Sequence, residues 1–303
     1  MLILAPGLLK AEKRTMDVKF NSGKYSLAGR IITAAPEGQR VPAIIFLVGS
    51  KGSSYEKGYQ SFLRYFFEDN LPLDRVALFY FEKRGVGESE GNWANTDFRE
   101  RAADAAAAAE FLKTQPFIDP ARIIVAGHSQ GGWIAQLCAA TYPGTFAAGI
   151  SLAGPSFSVR KQVINDLASR FRCAGVDSLK ALRKAESQTG KVFTLSAILP
   201  VGRSLRQLRL IRKFDPTEHI RQIKVPFLFL FGEHDALVDP RWARQSLHEI
   251  FPQSFPDQFE VSVAKSANHS FRVADFCGTG TSYAEDTREA IHTWFRRNFD
   301  QAN

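Results

Sequence analysis

The sequence predicts an α/β protein built on a mostly parallel, doubly wound sheet, and two observations predict it. Short apolar runs alternate with stretches of helical periodicity along most of the 303 residues. Several of those runs, "AIIFLV" and "FLFLF" among them, are apolar throughout, as strands buried on both faces must be. In sheets of this kind chemistry gathers beyond the carboxyl ends of the strands. The residues that follow each run therefore carry the functional argument.

Taken in order, residues 16–35 read as a hairpin turning at Asn21-Ser22-Gly23. The segments 41–50, 74–85, 121–129, 146–154, 225–235 and 258–269 read as strands. A helix is expected over 97–115, opened by Asp97 with Glu100 three residues on, the spacing of a capping box. A second helix follows Gly131 and stops before Pro143, and a third closes the chain at 286–299.

At 45% hydrophobic residues the chain can fill a large core, and it shows no internal repeat. No stretch reaches the roughly 18 apolar residues that span a bilayer. The start, "MLILAPGLLKAEKR", is apolar and then basic, the reverse of a secretory signal. It reads as a segment packing on the domain, with the remnant of an export signal as the alternative. Cys138, Cys173 and Cys277 lack metal-ligand spacing, and an odd number of cysteines suggests no disulfide framework. A reducing, cytoplasmic setting follows from that count. The net charge is +8, but residues 160–224 hold 15 Lys+Arg against 5 Asp+Glu, a net +10, so the remainder carries −2.

The most informative stretch is "RIIVAGHSQGGW", where a strand stops at a glycine and a serine follows between small residues. Gly127-His128-Ser129-Gln130-Gly131 between strand and helix fits the G-x-S-x-G nucleophile elbow. The turn is tight, glycines on either side make room for neighbouring backbone, and the serine hydroxyl stands above the sheet. The following helix aims its N–H groups at negative charge there. A serine needs a base, and the base needs an orienting acid. After the apolar run at 225–231, "GEHDALVDP" offers Glu233, Asp235 and Asp239; after the run at 258–264, "SANHSF" offers His269. Serine, acid and histidine thus follow each other at strand ends in the order such elbows require. Asp235 is the preferred acid, since Asp239 precedes a proline as a turn residue would and Glu233 reads as a loop residue. Among the other histidines, His128 is expected to pack structurally, and His219, His234, His248 and His292 receive no task.

Together these residues resemble the α/β-hydrolase superfamily, in particular its serine-hydrolase branch of dienelactone hydrolases, acetyl esterases and acyl-peptidase-like enzymes. The resemblance spans nearly the whole chain. It rests on "GHSQGG", on "FEKRGVGESEG", similar to the D-x-R-G-x-G-x-S-x-G loop of the family, and on "KVPFLFLFGEHDALVDP", similar to its strand–G-x-x-D-x-x-V-P segment. The last similarity favours Asp235 over Asp239. The resemblance implies an oxyanion hole formed by the backbone N–H of Gln130 and one from the loop after the first core strand. That loop is Val48-Gly49-Ser50-Lys51-Gly52 here, where the family often has His-Gly; Ser50 is the preferred donor and Lys51 the alternative. Glu82 stands where the family usually has Asp, and is expected to anchor its loop and Arg84 without a catalytic role.

The resemblance also implies that the long insertion before the acid-bearing strand is a helical lid. The expected layout is a core of residues 1–154 and 225–303, with the lid at 155–224. Three helical patterns lie there, and the third sets Arg203, Arg206, Arg209 and Lys213 along one face and Leu205, Leu208 and Ile211 along another. The lid carries the basic excess, which suits a solvated face or an anionic partner: a carboxylate-bearing ester, a coenzyme A thioester or an anionic membrane surface. Nucleic acid is disfavoured, because no aromatic-interleaved motif accompanies the charge. The implied activity is hydrolysis of a carboxylic ester through an acyl-enzyme, with no metal or organic cofactor. Aminopeptidase-like or acyl-CoA thioester cleavage is the enzymatic alternative, and a non-catalytic binding protein on the same fold is the alternative of another class.

Overall fold

A computed structural model describes residues 12–300. Eight strands form one sheet in the order β1-β2-β4-β3-β5-β6-β7-β8. They are β1 (Arg14–Ser22), β2 (Tyr25–Thr33), β3 (Val41–Leu47), β4 (Ala77–Phe81), β5 (Ile118–His128), β6 (Ala148–Leu152), β7 (Phe227–Gly232) and β8 (Phe259–Ala264). The first two form the expected hairpin and join β4 antiparallel; every later pairing is parallel. Every residue of β3, β4, β6 and β7 is buried, which is why those strands read as unbroken apolar runs.

Helices cover both faces. On one lie α3 (Phe98–Lys113), whose Asp97–Glu100 capping box forms as predicted, and α4 (Gln130–Thr141). The other is covered by α1 (Tyr55–Gly58), α2 (Gln60–Leu63), a π-helical turn at Arg64–Glu68 and α10 (Glu285–Phe299). The 55–68 segment escapes periodicity because its helices are only four or five residues long, while Phe62, Leu63, Phe66 and Phe67 are all buried. Between β6 and β7 lie α5 (Val159–Cys173), α6 (Ser178–Ile198), α7 (Gly202–Ile211) and α8 (Thr217–Gln222). α6 runs through Gly190, because a glycine costs a helix only about 1 kcal/mol. α9 (Pro240–Ile250) was not anticipated, although Asp239 caps it and proline opens it, a recognisable start signal.

The cysteine count misleads. Cys173, at the end of α5, is disulfide-bonded to Cys277 across 104 residues, and Cys138 remains buried and free. Parity says nothing about two residues that folding brings together, so the cysteine argument for a reducing compartment falls. The apolar start at 1–11 lies outside the described residues. Among the described residues no helix is long and apolar enough to cross a membrane.

Candidate active site

The elbow forms as a strained turn between β5 and α4. Ser129 holds φ 55° and ψ −120°, outside the regions an ordinary residue occupies. Crowding explains the neighbouring glycines. A Cβ on Gly127 would lie 2.1 Å from the Gly131 carbonyl oxygen, and a Cβ on Gly131 would lie 2.1 Å from that of Leu47. The Ser129 N–H donates to the Leu152 carbonyl at 2.8 Å, tying the turn to β6.

Asp235 and His269 meet directly. His269 Nδ1 lies 2.8 Å from Asp235 Oδ2, while Asp235 Oδ1 accepts the Leu237 and Val238 N–H groups, each at 2.8 Å. The carboxyl is fully buried, and three hydrogen bonds compensate its lost hydration. This pairing assigns the proton to His269 Nδ1 and leaves Nε2 as the acceptor. Burial disfavours the imidazolium, but the charge and hydrogen bond of Asp235 outweigh it, so the His269 pKa is raised above its ordinary value. The other two acids work elsewhere. Glu233 accepts the Ser266 N–H, and Asp239 caps α9 while pairing with Arg241.

The elbow is joined to the His269 loop through the residue before Ser129. His128 Nε2 lies 2.8 Å from the His269 carbonyl oxygen, and the two rings are 4.9 Å apart. Among the described residues no hydrogen bond joins Ser129 to His269 directly, as is common before substrate tightens a site. A carbonyl can only accept, so His128 Nε2 donates and its Nδ1 accepts from the Tyr59 hydroxyl at 2.7 Å. Tyr59 accepts in turn from the Gly49 N–H at 3.0 Å. Burial pushes His128 down to about 3 and Tyr59 up to about 12, which keeps the neutral forms this chain of bonds needs.

The loop after β3 lies against the elbow: a Cβ on Gly49 would be 3.5 Å from that of Ser129. Two buried side chains, Arg101 and Lys83, and the partly buried Tyr59 hold this loop, and none of them has a role legible in the sequence. Arg101 of α3 donates to the Val48 carbonyl and to Gln130 Oε1, both at 2.7 Å. Lys83 donates to the Gly49 carbonyl at 2.8 Å, to Ser53 Oγ at 3.1 Å and to the Lys51 carbonyl. Tyr59, as noted, takes the Gly49 N–H. Burial, followed by the repulsion of Arg101, lowers the Lys83 pKa well below the ordinary lysine range, while its three acceptors match the three N–H bonds of an ammonium.

These bonds also aim the loop's N–H groups. Across a trans peptide the C=O and N–H point in opposite directions. With the Gly49 carbonyl on Lys83, the Ser50 N–H points away from Lys83. The Ser50 carbonyl accepts from Ser53, which turns the Lys51 N–H the opposite way, and Lys51 sits at φ 56°. The expected Glu82–Arg84 anchor is not present. Glu82 bonds Ser54 at the start of α1, whereas Arg84 pairs with Asp104 at 2.8 Å and Glu100 at 3.0 Å. The carboxylates of α3 stand closer to the guanidinium than the one two residues away on a strand end.

A cavity of about 630 Å³ opens beside His269. Asp166, Ser169 and Arg170 of α5 form one wall, and the 268–280 loop with the Cys173–Cys277 bridge forms another.

The family described as "Alpha/beta hydrolase family" matches residues 44–275. No curated protein sequence matches the chain. Among solved structures, the chain is similar to an esterase from Pyrococcus furiosus, with 17% identity, 94% of this chain and 92% of that one covered, and a TM-score of 0.65. A Butyrivibrio proteoclasticus protein, Est1E, with ferulic acid bound gives 14% identity, 93% and 98% coverage and 0.63. A Pyrococcus horikoshii acylaminoacyl peptidase gives 18%, 96% of this chain, 42% of the longer peptidase and 0.58. At these identities the likeness is one of fold.

Proposed function

The chain belongs to the α/β-hydrolase family, and from that premise we propose that it is a serine hydrolase that cleaves carboxylic esters with Ser129, His269 and Asp235. One observation carries the reading: the buried Asp235 carboxyl bonds His269 at 2.8 Å, and His128, next to a serine held at φ 55° on the elbow, bonds the His269 carbonyl. His269 Nε2 takes the Ser129 proton as the hydroxyl oxygen attacks the ester carbonyl carbon. Asp235 fixes the imidazole tautomer and stabilises the imidazolium. The tetrahedral intermediate collapses, the leaving alcohol takes the proton from His269, and the acyl group stays on Ser129. Water then attacks with the same base, releasing the acid and free serine.

The oxyanion donors are the Gln130 and Ser50 amides. Gln130 opens α4, where unpaired N–H groups gather. Ser50 is favoured over Lys51 because Lys83, by holding the Gly49 carbonyl, turns the Ser50 N–H away from itself. Residues 155–224 act as the lid on a core of 1–154 and 225–303; the α5 wall of the cavity beside His269 supports this. The substrate is a small molecule.

The test is turnover of p-nitrophenyl esters from acetyl to decanoyl, with an aminoacyl nitroanilide and an acyl-CoA thioester alongside, for the parent and Ser129→Ala. Ester turnover should fall about a million-fold in the variant. Equal rates in both proteins would overturn the Ser129 assignment. Turnover of the anilide or thioester alone would make the enzyme a peptidase or thioesterase.

A further inference from the structure

Eight large apolar side chains are exposed among the described residues, and five of them fall between residues 195 and 210. They are Leu195, Ile198, Leu199, Val201 and Leu210, at the end of α6, in the link and on α7; Ile198 is 77% exposed and Val201 66%. The inner side of α7 explains why they stay outside. Gln207 and Ile211 are buried, with Gln207 Nε2 on the Trp93 carbonyl at 3.5 Å, so α7 is fixed by that face and presents the other to solvent. Exposed cations are interleaved with the apolar groups: Lys191, Arg203, Arg206, Arg209 and Lys213. Residues 187–214 contain no Asp or Glu, and none of these five cations forms an ion pair among the described residues.

We propose that this face docks on an anionic lipid surface. Apolar side chains enter the boundary between headgroups and acyl chains, while the lysine and arginine heads meet lipid phosphate and carboxylate. The charge decides between occupants. A second copy of this chain packed face to face would set five unpaired cations against five, which disfavours self-association. An anionic partner is required, and a bilayer supplies anionic groups directly above an apolar layer, matching both components of the patch. The proposal stands apart from the ester-hydrolase reading, since it uses no residue of that site.

The test is co-sedimentation of the full chain with phosphatidylcholine vesicles and with vesicles containing about one third phosphatidylserine, at low and high salt. The parent should bind the anionic vesicles, release at high salt and ignore phosphatidylcholine alone. Ile198→Ser with Val201→Ser, and separately Arg203→Glu with Arg206→Glu, should each weaken binding about ten-fold or more. Turnover of a water-soluble ester, measured on the same samples, should be unchanged, so lost docking and lost catalysis are read separately. Absence of binding to anionic vesicles, or equal binding by parent and variants, would overturn the proposal. So would size-exclusion chromatography showing a dimer that the Ile198→Ser, Val201→Ser variant dissociates, which would make the face a contact between copies.

Discussion

The elbow and the loop beside it touch, yet they are held by different means. The elbow is shaped by backbone against backbone: Gly127, Gly131 and the strand ends leave no room for a Cβ. The 48–53 loop is shaped by three long side chains that arrive from elsewhere, Arg101 from α3, Lys83 from the end of β4 and Tyr59 from the α1–α2 junction. One is a local device written into five consecutive residues. The other depends on three elements having already packed. The difference predicts that damage to the elbow is a folding problem, whereas damage to the loop's supports is a catalytic one.

The largest effect should come from Gly131→Ala. Its Cβ meets the Leu47 carbonyl, which is sheet backbone and cannot give way. We expect a loss of about 3 kcal/mol or more, or no folded protein, read by urea unfolding. Near-parental stability would show that the elbow is less crowded than the geometry requires.

Lys83→Met should do the opposite. It removes a buried charge, which is often neutral for stability, but frees the carbonyls that set the loop's direction. The expected result is kcat down by about 100-fold, comparable to losing one oxyanion donor, with KM changed much less. A loss of stability with kcat intact would make Lys83 a folding residue only.

His128 joins the two regions and gives the smallest, pH-dependent effect. Its folded pKa is lowered to about 3, against 6.5 for the ordinary group. The neutral ring therefore contributes stability that is fully present above pH 6.5 and lost as pH falls, because the unfolded chain takes up the proton first. Between pH 7.5 and 5.5 the parent should lose about 1.4 kcal/mol more than His128→Gln. Parallel stability curves for the two proteins would show that His128 takes up its proton in the folded state as readily as in the unfolded one.

The same contrast explains what the sequence could reveal. Ser129, Asp235 and His269 were legible as candidates because each follows a strand in a short, self-contained pattern, and the strands were legible because burial on both faces leaves them wholly apolar. Lys83 was not, although it lies inside a stretch already singled out, because its partners are 30 or more residues away and only packing selects it over Arg84. Tyr59 was hidden in short helices without clear periodicity. Cys173 and Cys277 were hidden by arithmetic, since counting cysteines cannot show which two will meet. The Asp239-Pro240 start of α9 could have been read and shows that a cap signal outweighs a loop reading.

The central claim is that Ser129 is the nucleophile, activated by His269 and Asp235. The most direct measurement is intact-mass and peptide analysis after exposure to a fluorophosphonate, comparing the parent with His269→Ala. The account predicts a single adduct on Ser129 of the parent and little or none on the variant over the same time. A folded parent left unlabelled, or labelled on another residue, would contradict it.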